Sequence, residues 1–252
     1  SDDGAAKMLL AVPHVNRQAS EVALRWVVHA VNTLLGPAVS EAQRERLRAG
    51  FAEVRRALKP AALVGVNAIH FLAAAHRLAF NQGFSEGIFN HLTFAVPGRS
   101  DRYYQIPFGT HWSEVTASCF MEVGIDDGEV KRGEGEVERS CYCIHAPIHK
   151  ALPQAKAVFH THMPYASALT RLEDPRIKEI GQTEVGLSGA IAYDDEYTGP
   201  ALDPAEGARL AGVIGDKKVL FMANHGISTV GATVADAYDM LYYIERAAQV
   251  QI

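Results

Sequence analysis

Two histidines stand one residue apart at the end of an apolar run, and their types and spacing suit metal chemistry. The run AVFHTHM covers residues 157–163 and carries His160 and His162. Successive side chains of a strand point to opposite faces, so two imidazoles at this spacing project to the same side of a strand. Together they supply two nitrogen ligands, and a metal site needs at least one more.

A third histidine follows another apolar run about sixty residues later. The segment KVLFMAN, residues 218–224, leads directly into His225 and Gly226. If both strands end at one edge of a sheet, the three imidazoles reach a single ion, at about 2.0–2.1 Å for zinc. Three ligands leave a position open for water or substrate, as a catalytic metal requires. The alternative is three unrelated histidines hydrogen-bonded at strand ends, with Asn224-His225-Gly226 as an ordinary turn.

Helices and strands that could position these residues follow one another along the chain. Apolar periodicity and end signals predict helices over residues 20–35, 40–60, 66–83, 141–151, 165–172, 203–215 and 233–250. Strands are predicted over residues 91–96, 102–108, 156–162, 190–193 and 218–224, with a further turn at Asp127-Gly128. Thr233 and Asp236 form a capping signal for the last helix. The pattern predicts an α/β/α layered domain around a mixed or antiparallel sheet.

Composition excludes several classes of function. The 252 residues carry a net charge of −5 and contain no run of lysines or arginines that could follow a nucleic-acid backbone. No segment reaches the roughly 18–20 apolar residues of a membrane span, and the first residues lack the pattern of a signal peptide. Cys119, Cys141 and Cys143 form a poor disulfide framework. We therefore expect a cytoplasmic protein with no nucleic-acid or membrane partner.

Four motifs resemble, in their order and spacing, the class II aldolase and adducin family: FNHLT, HTHMPYASAL, IAYDDEYTG and NHG. The chain is identified as a member, closest to the bacterial adducin-like branch. The resemblance covers about residues 66–250. It implies a three-layer α/β/α domain over residues 63–252 with a central mixed, mainly antiparallel sheet, and it leaves residues 1–62 as a helical N-terminal extension.

The resemblance also assigns roles to individual residues. It implies that His160, His162 and His225 bind a divalent metal, with zinc the first choice and manganese the second. It further implies three substrate-binding residues: Asn90 and Gly109, which match positions that contact the substrate anion, and Ser140, where the family places a serine before the catalytic residue. Members of the family place their sites at the interfaces of a tetramer, so a homotetramer that acts on a small-molecule substrate is expected.

One position departs from the pattern of the sugar-phosphate aldolases. Those enzymes carry a glutamate, used for proton transfer, nineteen residues before the first metal histidine, and this chain has Cys141 there, in ERSCYCIHAPIHKALP. A thiolate could serve as a metal ligand if its pKa is lowered, and a buried filler is the alternative. His91 is the other candidate for proton transfer, because an imidazole titrates near neutral pH.

Three hypotheses of function follow. The first is a divalent-metal-dependent lyase that performs aldol cleavage or decarboxylation on a small hydroxy-carbonyl or carboxylate substrate, through a metal-stabilised enolate. The second is a non-catalytic adducin-like interaction module, which the loss of the glutamate favours and the retention of three histidines opposes. The third is a metal-dependent epimerase or dehydratase of the same fold.

Overall fold

The computed structural model of the protein describes the backbone of residues 60–252 and the side chains from Ala68 onward. Its helices are α1 (Pro60–Asn81), α2 (Arg139–Ala151), α3 (Pro164–Leu169), α4 (Gln182–Gly186), α5 (Pro204–Ile214) and α6 (Val234–Gln251). Its strands are β1 (His91–Ala95), β2 (Arg102–Gln105), β3 (Met121–Gly124), β4 (Val130–Arg132), β5 (Ala157–Thr161), β6 (Ile191–Asp194), β7 (Val219–Met222) and β8 (Ile227–Gly231). The predicted helices over residues 20–35 and 40–60 lie outside the described residues, as does nearly all of the predicted extension 1–62.

All eight strands form one mixed sheet in the order β4-β3-β2-β1-β5-β8-β7-β6. Every neighbouring pair is antiparallel except β6 and β7, which run parallel. The central strand β5 lies between β1 and β8, and each of its five residues is buried. A strand that is covered on both faces has apolar residues at successive positions. Strand β5 therefore begins with the apolar segment AVF, which is followed by His160.

Helices cover both faces of the sheet and make the three layers. On one face Phe159 and Phe221 pack with residues of α1 and α6, including Leu72 and Leu241. On the other face Val158 and Leu220 pack with Ile144 of α2 and Leu210 of α5. Each fully buried side chain of this size contributes about 1.5–3 kcal/mol of hydrophobic stabilisation. The fold is therefore the predicted α/β class with a mixed, mainly antiparallel sheet.

Element boundaries differ from the predicted ones by a few residues. Helix α1 is described from Pro60, six residues before the predicted start at residue 66. Helix α2 begins at Arg139, two residues before the predicted start, and continues through Pro147. The hairpin of β1 and β2 is confirmed, and so is the turn between β3 and β4, where Gly128 has φ 69°. None of the described helices combines the length and apolarity that a bilayer crossing requires.

Candidate metal centre

The three predicted ligands lie together at one edge of the sheet. His160 is in β5, His162 follows the end of that strand, and His225 lies in the turn between β7 and β8. One ring nitrogen from each lies within 4.8 Å of the others, and Nε2 of His160 is 3.1 Å from Nε2 of His162. The antiparallel pairing of β5 with β8 brings the two segments together, since Thr161 is opposite Ile227.

The backbone conformation of the NHG turn and its closeness to β5 explain the residues on both sides of His225. Asn224 has φ 55°, a left-handed conformation that asparagine tolerates better than most residues do. A Cβ atom at Gly226 would lie 2.6 Å from Cδ2 of His162 and 2.6 Å from the carbonyl oxygen of Thr161. Only glycine permits the turn to approach β5 this closely, so the motif sets the distance between His225 and the other two imidazoles.

Hydrogen bonds orient two of the rings. Nδ1 of His160 lies 2.9 Å from the carbonyl oxygen of Ile227, which only accepts, so this nitrogen carries the proton. Nδ1 of His162 is 2.7 Å from Oε2 of Glu86. With a proton on each Nδ1, the lone pairs are on the two Nε2 atoms, which face each other across the site.

Burial keeps the three imidazoles neutral. It lowers the pKa of His160 well below its ordinary value, and the neighbouring histidines act in the same direction. Burial lowers the pKa of His225 to about 4. It also lowers the pKa of His162, although the contact with Glu86 opposes the shift. Neutral imidazoles are the form that binds a metal ion.

These residues fit a divalent metal ion. Tetrahedral coordination by imidazole at zinc–nitrogen distances of 2.0–2.1 Å places ligand nitrogens roughly 3.3 Å apart. The 3.1 Å separation of the two Nε2 atoms is close to that value. Two facing lone pairs with no proton between them also repel each other, and a cation removes that repulsion.

His91 lies beside this cluster and contacts a carboxylate. It begins β1, is paired with His160 of β5, and its ring centroid is 6.0 Å from that of His160. Its Nε2 lies 3.0 Å from Oε2 of Glu138. Burial acts to raise the pKa of Glu138, but the close contact with His91 and the backbone N–H of Cys141 lower it to about 2. Glu138 is therefore ionised at neutral pH.

Cys141 belongs to a second group of side chains rather than to the three-histidine cluster. Its Sγ and ring nitrogens of His91 and His145 lie within 4.8 Å of one another, and all three residues are buried. Burial raises the pKa of the Cys141 thiol well above its ordinary value, and the charge of Glu138 adds to the shift. The thiol is consequently protonated at neutral pH, and it is poorly suited to proton transfer.

The three predicted substrate-binding residues lie in different surroundings. Asn90 and Gly109 line a cavity of about 30 Å³ together with His91 and Glu138. The Oδ1 atom of Asn90 accepts a hydrogen bond from the backbone N–H of Glu86 at 2.9 Å. Ser140 is not among the residues that line the cavity, and both its N–H and its hydroxyl donate to the carboxylate of Glu138.

Two carboxylates near the site were missed by sequence reasoning. Glu86 lies in the loop before β1, and nothing in its local sequence indicates a contact with His162, which is far along the chain. Glu138 is the N-cap of α2, and a carboxylate directly before a predicted helix is a signal that could have identified it. Glu138 lies three residues before Cys141, the position that corresponds to the glutamate of the sugar-phosphate aldolases.

A family comparison covers most of the chain. The model described as Class II Aldolase and Adducin N-terminal domain matches residues 70–252. An adducin-related protein of Schizosaccharomyces pombe is 36% identical over 187 residues, which cover 71% of this chain and 56% of that protein. Decarboxylase NovR of Streptomyces niveus is 29% identical over 185 residues, which cover 73% of this chain and 67% of NovR. The chain thus spans little more than half the length of the adducin-related protein.

Solved structures share the fold. The aldolase II superfamily protein of Pseudomonas syringae superposes with a TM-score of 0.71 at 34% identity, covering 79% of each chain. L-fuculose 1-phosphate aldolase of Glaciozyma antarctica gives a TM-score of 0.70 at 26% identity, covering 77% of this chain and 75% of that one. The match over residues 70–252 and these similarities establish that the chain belongs to the class II aldolase and adducin family.

Proposed function

We propose that the protein is a divalent-metal-dependent lyase that cleaves a carbon–carbon bond, by aldol cleavage or decarboxylation, in a small hydroxy-carbonyl or carboxylate substrate. The observation that carries the proposal is the geometry of His160, His162 and His225, whose ring nitrogens lie within 4.8 Å of one another. Zinc is the proposed metal and manganese the second choice, because imidazole binds both.

The metal, when bound, supplies a Lewis acid that polarises the substrate carbonyl. His160, His162 and His225 would hold it and leave room for the substrate as a further ligand. Ile227 and Glu86 fix the tautomers of His160 and His162 through their Nδ1 atoms, so the Nε2 lone pair of each is available to a metal ion.

His91 is the proposed proton-transfer residue. It lies next to His160, lines the cavity, and contacts the ionised Glu138 through Nε2 at 3.0 Å. An adjacent carboxylate can orient an imidazole for proton transfer. Cys141 is the weaker candidate, because its thiol is fully buried and its pKa is raised. Asn90 and Gly109 are proposed to contact the substrate, and Ser140 to act by holding Glu138.

Both proposed reactions have support among the similar proteins. One relative is named a decarboxylase and one structural neighbour an L-fuculose 1-phosphate aldolase. The shared step is the stabilisation of negative charge next to a carbonyl after the carbon–carbon bond breaks. We further propose that the enzyme acts in the cytoplasm as a homotetramer.

Turnover of candidate substrates tests the proposal. The metal-loaded protein is incubated with small hydroxy-ketones, hydroxy acids and keto acids, and products are followed by mass spectrometry. Cleavage that needs added zinc or manganese and disappears in His162→Ala, with unchanged circular dichroism, is the expected result. Turnover that survives in that variant, or that does not depend on metal, would contradict the lyase mechanism.

The second candidate is a non-catalytic, adducin-like interaction module. The 36% identity to an adducin-related protein favours it, and so does the position of Cys141 where the aldolases carry a glutamate. In that case His162→Ala would leave binding of a protein partner unchanged, and no metal-dependent cleavage would be found in the substrate screen.

A further inference from the structure

Glu138 binds the free donors at the start of helix α2. Its Oε1 accepts from the N–H of Ser140 at 3.1 Å, and its Oε2 accepts from the hydroxyl of Ser140 at 2.8 Å and from the N–H of Cys141. The first N–H groups of a helix have no partner within the helix and point toward its N-terminal end, where they bind phosphate and other anions. In this chain an internal carboxylate already occupies them.

This carboxylate is a fixed negative charge at the cavity wall. The side chain of Glu138 is 17% exposed, lines the cavity and lies 3.0 Å from Nε2 of His91. Its pKa of about 2 means that it stays ionised throughout the physiological range. A phosphate group that entered the cavity would meet a like charge in a partly buried setting, where repulsion is screened less than in water.

The rest of the cavity wall has one titratable side chain, that of His91, which already contacts Glu138. Among the residues that line it, all within the described part of the chain, there is no lysine or arginine. Much of the wall is apolar and is formed by Ile88, Leu92, Ile106, Pro107, Phe108 and Trp112. Phosphate recognition usually depends on lysine or arginine side chains or on the free N–H groups of a helix start, and this wall offers neither.

Two side-chain amides of the wall carry N–H donors that are not hydrogen-bonded. Asn90 and Gln105 are buried, and neither Nδ2 of Asn90 nor Nε2 of Gln105 has a hydrogen-bond partner. A buried unpaired donor is costly, and a ligand oxygen can satisfy it. A carbonyl or hydroxyl oxygen on an otherwise apolar group matches these donors and the wall around them.

We propose that Glu138 is a built-in anion that keeps phosphate groups away from the cavity wall beside the three histidines, so that the part of a hydroxy-carbonyl substrate that contacts this wall is uncharged and largely apolar. The hydroxy-carbonyl part of this statement rests on the proposed lyase function. The exclusion of phosphate rests on Glu138 alone and can be tested without any turnover.

Binding of inorganic phosphate, measured by isothermal titration calorimetry, tests the exclusion. All variants are made in a His162→Ala background, so that phosphate bound to a metal does not contribute. Glu138→Ser removes the carboxylate but keeps an oxygen that can cap α2, so the helix start is preserved. Glu136→Ser removes an exposed carboxylate from the same loop and serves as the matched control.

The protein with Glu138 intact and the Glu136→Ser control are expected to show no saturable phosphate binding in the millimolar range. Glu138→Ser is expected to bind phosphate at least about tenfold more tightly, because the like charge is gone and one serine oxygen caps fewer helix N–H groups than the two carboxylate oxygens do. Adding Ser140→Ala to Glu138→Ser is expected to weaken the acquired binding.

Saturable phosphate binding with Glu138 intact, or no gain in Glu138→Ser, would overturn the proposal. Neither result depends on whether the three histidines catalyse a reaction. Conversely, a substrate screen without metal-dependent turnover would remove the lyase function and leave the phosphate result standing.

Discussion

Gly226 lies where the NHG turn approaches strand β5, and its lack of a side chain allows this turn and the end of β5 to lie close together. We predict that Gly226→Ala lowers the free energy of unfolding by about 1–3 kcal/mol, because its Cβ would overlap the ring of His162 and the carbonyl oxygen of Thr161. The same displacement should weaken metal binding. Thermal unfolding and the metal content per chain are the measurements.

Gly212→Ala is the matched control for this substitution. Gly212 is an exposed residue of α5, and a Cβ there meets nothing within 4 Å. Alanine in a helix interior should stabilise the protein by about 0.5–1 kcal/mol. If Gly226→Ala were as harmless as this control, the close approach of the NHG turn to β5 would be wrong.

Buried neutral histidines away from the metal centre should make stability depend on pH. Burial lowers the pKa of His76 to about 4 and that of His149 to about 3, below the value of 6.5 for an exposed imidazole. Between pH 6.5 and 4 the unfolded chain therefore binds protons that the folded chain does not. Stability should fall as the pH falls through this range, by on the order of 3 kcal/mol for each residue.

Urea unfolding of His149→Gln as a function of pH checks this prediction. The free energy of unfolding of this variant should depend less steeply on pH between pH 6.5 and 4 than that of the unmodified protein. The slope should be smaller by up to about 1.4 kcal/mol per pH unit. The variant of an exposed histidine, His111→Gln, should keep the slope of the unmodified protein. Equal slopes in all three proteins would show that the burial of His149 does not control its protonation.

Local spacing explains why some residues of the site could be predicted and others could not. His160 and His162 follow from strand alternation, and His225 from its place after an apolar run. The contact between Glu138 and His91 joins a helix cap to a strand start, and no period in the sequence relates the two. The role of Cys141 depends on burial, which raises its pKa and which its neighbours in the sequence do not reveal.

Helix α6 has a start that the sequence specifies and the structure confirms. The hydroxyl of Thr233 accepts from the N–H of Asp236 at 3.1 Å, and the Asp236 carboxylate accepts from the N–H of Thr233 at 3.1 Å. We predict that Thr233→Ala lowers the free energy of unfolding by about 0.5–2 kcal/mol, measured by urea denaturation.

Thr233→Ser retains the capping oxygen and should lose much less stability than Thr233→Ala. Equal losses in the two variants would mean that the methyl group of Thr233, and not its hydroxyl, stabilises the helix start.

Elsewhere the element types were easier to predict than their ends. Helix α3 stops at Leu169 instead of residue 172, and such ends depend on tertiary packing.

At the scale of the whole molecule, strand order creates the site. The sequence predicts the mixed sheet and most of its strands, but it does not predict β8. The position of β1 beside β5 is also a long-range pairing that periodicity does not encode. That pairing places His91 against His160 and brings the cavity wall next to the metal centre. The fold class could be predicted from the sequence, whereas the neighbours of each site residue required the sheet topology.

The central claim is that three histidines from two strand ends bind one divalent ion. Elemental analysis of the purified protein by mass spectrometry, repeated on His160→Ala and His225→Ala, tests it most directly. We predict about one zinc or manganese ion per chain, lost in both variants while the fold is retained. A protein that takes up no metal on titration, or metal that remains in both variants, would contradict the claim; in the second case the group of His91, Cys141 and His145 would be the place to look for it.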